Sequence, residues 1–108
     1  MKTYSQKEKL ILAFKKALDS YNGGHIYTDF GSATIEIDDS YITAFQNRIV
    51  DNEFGYFISF GTLKEDISKE EFSELCILTQ KKKEEMTLKR QISEKEKYES
   101  KLDKFLKL

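Results

Sequence analysis

The chain has 108 residues, the size of one ordinary domain, with 39% hydrophobic content and a net charge of -1. That balance favours neither nucleic acid nor an anionic membrane as a global partner, and the single cysteine, Cys76, excludes an intrachain disulfide and a CxxC metal clamp. No stretch approaches 18 consecutive apolar residues, so no membrane-spanning helix is expected.

"SQKE" at residues 5–8 has the form of a capping box, and Leu10, Phe14, Ala17, Leu18 and Tyr21 then recur at helical spacing. A helix is predicted over Gln6 to Tyr21, stopped by "NGG" at 22–24, because Asn and Gly accept the left-handed conformation that ends helices.

From His25 the period falls to two. "HIYTDF", "ATIEI", "YITAFQNRIV" and "FGYFISF" read as four strands separated by "GS", "DDS" and "DNE" turns. Short links between consecutive strands predict an antiparallel meander with one packed face and one wet face. Phe30, Phe45, Phe54, Ile58 and Phe60 are expected on the core side and Phe57 on the outer side; Gly55 marks a bulge or a close approach to the backbone.

Ser68 to Glu71 is a second capping box, and Ile67 and Phe72 have the spacing of a hydrophobic staple. A helix is predicted from Lys69, with Phe72, Leu75, Cys76 and Thr79 facing the sheet. The fold class is α+β: an N-terminal helix, a four-stranded antiparallel meander and a long C-terminal helix, with both helices on one sheet face. Twelve of the 14 aromatic residues precede residue 73. They assign residues 1–78 to a compact domain and 79–108 to a helical extension.

No Gly or Pro interrupts residues 67–108. "TQKKKEE" is a solvated bridge, and apolar residues return at Met86, Leu88, Ile92, Tyr98, Leu102, Phe105, Leu106 and Leu108. Leu88, Lys95 and Leu102 fall seven apart, as do Gln91, Tyr98 and Phe105, a sparse heptad that asks for a partner surface. That surface is either the chain's own sheet, reached through a break near Ser93 at the capping-box match "SEKE", or a second copy. Leu88, Ile92, Leu102 and Phe105 are the candidate self-association residues, and a homodimer is expected.

Candidate sites divide by charge. From Asp29 to Glu53 the net charge is -5, and from Lys81 to Arg90 it is +3. Asp38, Asp39, Asp51 and Glu53, with Phe57, are the candidate protein-binding residues, an acidic surface suited to a basic nucleic-acid-binding groove on another protein. The alternative is nucleic-acid binding through Lys81, Lys82, Lys83, Lys89 and Arg90, although acids intervene and no aromatics interleave to stack bases. His25 stands alone as a histidine at a strand edge, and Cys76 sits on the inner side of a helix as a small hydrophobe. No P-loop, GxGxxG, HExxH or nucleophile elbow occurs, so no enzyme, cofactor or metal is expected. A small inhibitor or adaptor of the cytoplasm, without a secretory leader, is the function these features favour. The excess of lysine over arginine, 16 to 2, suggests an AT-rich bacterial or phage genome, whose accessory proteins block host or defence factors.

Overall fold

The computed structural model describes residues 3–21, 23–29 and 31–107. Phe30, expected in the core, Asn22 of the helix stop, and Leu108 lie outside the described residues. The architecture is α+β: α1 (Gln6–Asp19), β1 (Ile26–Asp29), β2 (Ser32–Ile37), β3 (Ser40–Val50), β4 (Glu53–Phe60), β5 (Leu63–Ile67) and α2 (Lys69–Leu106). The five strands lie side by side in chain order, each antiparallel to the next.

The sheet thus has one strand more than the four expected. β5 reads Leu-Lys-Glu-Asp-Ile, and three charges in five residues hide a strand from hydrophobic periodicity. Its place explains them: it is an edge strand, where charge discourages pairing with another chain. The two-residue Gly61-Thr62 link makes the hairpin, with Gly61 at φ 60°.

Ser5 caps α1 by accepting the Glu8 amide at 3.1 Å, and the Glu8 carboxylate turns back to the Ser5 hydroxyl. The helix ends two residues before the predicted Tyr21. Ser20 caps it, its amide and hydroxyl both donating to the Lys16 carbonyl. Gly23 then takes φ 96°, a conformation that costs a side chain dearly.

Leu10, Phe14 and Leu18 of α1 meet Phe72 and Leu75 of α2 over Ala33, Ile35, Ile42, Ala44 and Ile58 of the sheet, in one buried cluster. Both helices cover the same sheet face. Ala33 and Ala44 are fully buried beneath them, and their small side chains leave room for the helices. This corrects the expected side of Phe45. Register pairs it with Phe57, and alternation turns it away from buried Ala44 to the open face. Phe54 is also not core: it is exposed, on the part of the β3–β4 hairpin that runs beyond the helices.

α2 opens with a complete capping box. The Ser68 hydroxyl accepts from the Glu71 amide at 3.0 Å, and the Glu71 carboxylate accepts from the Ser68 amide at 2.8 Å. Lys7 of α1 reaches the same carboxylate at 2.9 Å, tying the starts of the two helices together. Partial burial pushes the Glu71 carboxyl up, but the Ser68 amide, Lys7 and the Ser68 hydroxyl outweigh it and hold it below the ordinary value. A carboxyl lowered on folding stabilises the fold above its unfolded pKa of about 4.3, and that contribution is lost as pH falls through the folded value. Glu71→Gln keeps the capping hydrogen bonds but not the charge. The difference in urea midpoint between wild type and Glu71→Gln should therefore be open at neutral pH and close as pH falls through the lowered folded value; a gap of constant size would show that charge is not its source.

α2 runs 38 residues without a break, so the turn back near Ser93 does not occur. Ser93 sits on an already-formed helix, where serine costs only a few tenths of a kcal/mol or so. Phe72, Leu75 and Thr79 are buried, and Thr79 donates to the Leu75 carbonyl at 2.7 Å. Lys82, Lys83 and Met86 are half-buried, so the compact body reaches past residue 78 to about Met86. From Thr87 to Lys107 every residue is exposed. The projecting half gives the molecule a longest extent of 65 Å and a radius of gyration of 18.8 Å, against about 13 Å for a compact domain of this length. No helix is long and apolar enough, among the described residues, to cross a membrane.

Candidate functional site

The sheet's second face carries no helix. Register lays its side chains out in rows: Tyr27, Thr34, Thr43, Ser59 and Lys64 in one, Asp29, Ser32, Phe45, Phe57 and Asp66 in the next. Phe57 lies on this open face as the alternation predicts, 5.5 Å from Phe45 between ring centroids. The Lys64 ammonium stands 4.6 Å from the Phe57 centroid and 5.7 Å from that of Phe45, a cation over two ring faces. Asp29 and Asp66 end the row at the two edges of the sheet.

Beyond this row the β3–β4 hairpin continues alone. β2 leaves β3 after Phe45, and β5 leaves β4 at Tyr56. The arm that remains carries Ile49, Val50 and Phe54, which are 61%, 57% and 47% exposed. A bulge between Arg48 and Val50 turns the strand at this point. Gly55 is the close-approach position rather than the bulge. A β-carbon there would stand 2.6 Å from Ile49 Cδ1 and 2.8 Å from Phe57 Cζ, so only glycine lets Ile49 join the aromatic pair without displacement. The Arg48 guanidinium lies 6.0 Å from the Phe54 ring.

The four predicted acids do not form one patch. Asp51 and Glu53 sit at the tip of the arm, beside the exposed apolar residues. Asp38 and Asp39 form the β2–β3 turn at the opposite end of the sheet, both in the left-handed conformation at φ 47° and 65°. The 11 residues of β3 separate the two ends by roughly 33 Å. Asp38 instead borders a shallow cleft with Lys16, Tyr21 and Glu36. Ile49, Val50 and Phe45 were missed by sequence reasoning. The signal was present in "RIVDNEF", two branched apolar residues abutting a turn, where no neighbouring strand remains to bury them.

The five cations of the alternative site are spread around α2. Lys82 is half-buried and 3.6 Å from Glu85, and the Lys83 ammonium reaches around β1 to stand 5.9 Å from the Tyr27 ring. At 100° per residue Lys82, Lys83, Lys89 and Arg90 fall within about 120° of one another and Lys81 lies outside that arc, so the five do not line one face. His25 is exposed and packs edge-on against Tyr41 at 5.3 Å. Cys76 is half-buried, and burial pushes its thiol up, away from the reactive thiolate. Tyr27 donates to Asp29 at 2.9 Å, and that bond with the negative charge raises the phenol. Among the described residues no group of three His, Cys, Asp or Glu is placed to hold a metal ion.

The candidate self-association residues Leu88, Ile92, Leu102 and Phe105 are all exposed on the projecting half of α2, with Tyr98 and Leu106. Comparison with protein-family models, with characterised proteins and with solved structures finds no match.

Proposed function

We propose that this chain is a non-catalytic protein-interaction protein, a small cytoplasmic inhibitor or adaptor, that grips its partner with the β3–β4 arm and the aromatic pair at its base, and self-associates through α2. One observation carries the reading: Ile49, Val50 and Phe54 stand exposed on a hairpin that has left the sheet, Ile49 on the open face with Phe57 and Phe54 on the opposite face with Arg48. Large apolar side chains held in solvent on both faces of a projecting hairpin are suited to insertion into a partner's cleft, with the charged residues around them as the rim. Here the rim is mixed, Asp51, Glu53 and Asp66 with Arg48 and Lys64, and the acids at the tip of the arm suit a basic surface on the partner. The lysine-rich composition supports a bacterial or phage accessory role, with a host or defence factor as the partner blocked.

The test is affinity capture from a bacterial lysate, followed by binding measured with the purified partner. Ile49→Ser with Phe54→Ser should reduce affinity by about 100-fold or more, the effect of losing two central anchors. Asp51→Lys with Glu53→Lys should weaken it less and alter its salt dependence. A partner held equally by all three proteins sinks the proposal, and a salt-sensitive gel shift with duplex DNA that Lys89→Glu abolishes would replace it with nucleic-acid binding.

A further inference from the structure

The projecting half of α2 has an apolar stripe whose orientation is set by the rest of the helix. At 100° per residue, the buried side chains Phe72, Leu75 and Thr79 centre on one direction, and Leu88, Ile92, Leu102 and Leu106 centre about 170° away from it. The stripe therefore faces away from the chain's own body. An unbroken helix cannot bring it back, so its own sheet is not the surface that covers it.

We infer that two copies of this chain pair through residues 88–106 of α2 in antiparallel orientation, a geometry that rests on the self-association proposed above. The polar residues within the stripe select it. On a heptad with Glu85, Ile92, Glu99 and Leu106 at one seam position and Leu88, Lys95 and Leu102 at the other, a parallel pair sets Glu85, Lys95 and Glu99 each against its own copy. Like charges in a seam are strongly disfavoured. The antiparallel pair centred near residue 97 resolves all of this. Leu88 meets Leu106 of the second copy, Ile92 meets Leu102, and Lys95 meets Glu99, with every contact made twice. On the flanks Lys89 comes beside Asp103, Tyr98 beside its own copy, and Phe105 beside Gln91. All six exposed apolar residues of the extension are then covered, and among the seam and flank positions one like-charged pair remains, Glu96 with its copy at the solvent edge.

The overlap is about 27 Å long. It holds the two Met86 residues roughly 33 Å apart, with the two bodies at opposite ends, so the dimer displays two hairpin arms that one partner assembly can engage together.

Light scattering and directed cross-linking test this. Wild type at tens of micromolar should have about twice the 12.7 kDa chain mass. In a Cys76→Ser background, Leu88→Cys mixed with Leu106→Cys should give a disulfide-linked dimer on mild oxidation. Either variant alone should give none, because its two thiols lie about 27 Å apart in the antiparallel pair. Leu88 and Leu106 are exposed and Cys76 is half-buried, and circular dichroism checks that the variants remain folded. A dimeric mass with cross-linking of Leu88→Cys alone would overturn the antiparallel geometry and leave self-association standing. A mass of one chain would overturn both.

Discussion

Phe14→Ala is expected to cost about 3–5 kcal/mol, the usual loss for a buried phenylalanine. Phe14 is fully buried at the centre of α1, between Leu10 and Leu18, and packs where α1, α2 and the sheet meet. The body supporting it is about 86 residues, which places its total stability toward the lower part of the 5–15 kcal/mol range. The variant should therefore show a measurable unfolded fraction at 25 °C, read as lost ellipticity and a urea midpoint shifted toward zero. Phe105→Ala makes the contrast. Phe105 is 84% exposed in the single chain, so in protein dilute enough to be monomeric its removal should leave the midpoint unchanged within about 0.5 kcal/mol. A Phe14→Ala protein as stable as wild type would mean that the helices do not close on the sheet as described.

The parts of this fold legible from sequence are those written by local chemistry. The capping box at Ser68 and the staple pair Ile67 and Phe72 placed the start of α2 to the residue, because both act within a single turn. Strand alternation placed Phe57 on the open face. What was not legible depends on neighbours distant in sequence. Phe45 looked like core because it is large and apolar, but its position faces away from the helices, and Ala44 next to it is buried because the helices come too close for bulk. β5 was hidden because an edge strand is decided by the β4 edge it completes, not by its own hydrophobicity. The acids at 38, 39, 51 and 53 are close in sequence only by way of a hairpin, and β3 carries them to opposite ends of the sheet. The exposed arm was missed for the same reason: Ile49 and Val50 read as ordinary strand residues until β2 is seen to leave β3 before reaching them.

Cutting the chain after Met86 should leave the body folded and make it monomeric, whereas cutting after Leu78 should unfold it. Residues 87–107 bury nothing in the body, so in protein dilute enough to be monomeric their loss should move the urea midpoint by less than about 0.5 kcal/mol. They hold the whole apolar stripe, so light scattering should find one chain where the proposed full-length dimer gives two. The shorter cut removes Thr79, fully buried against the sheet, and the amides of residues 79–82 that the carbonyls of 75–78 bond in the helix. It leaves Leu75, also fully buried, on a frayed last turn, and it opens the contact between α2 and the β1 edge around Thr28 and Cys76. Each of those losses is of order 1–3 kcal/mol, and together they approach the stability available to so small a body. A folded protein ending at Leu78 would mean that the sheet closes without the middle of α2, and a dimeric protein ending at Met86 would place the self-association surface on the body instead of the extension.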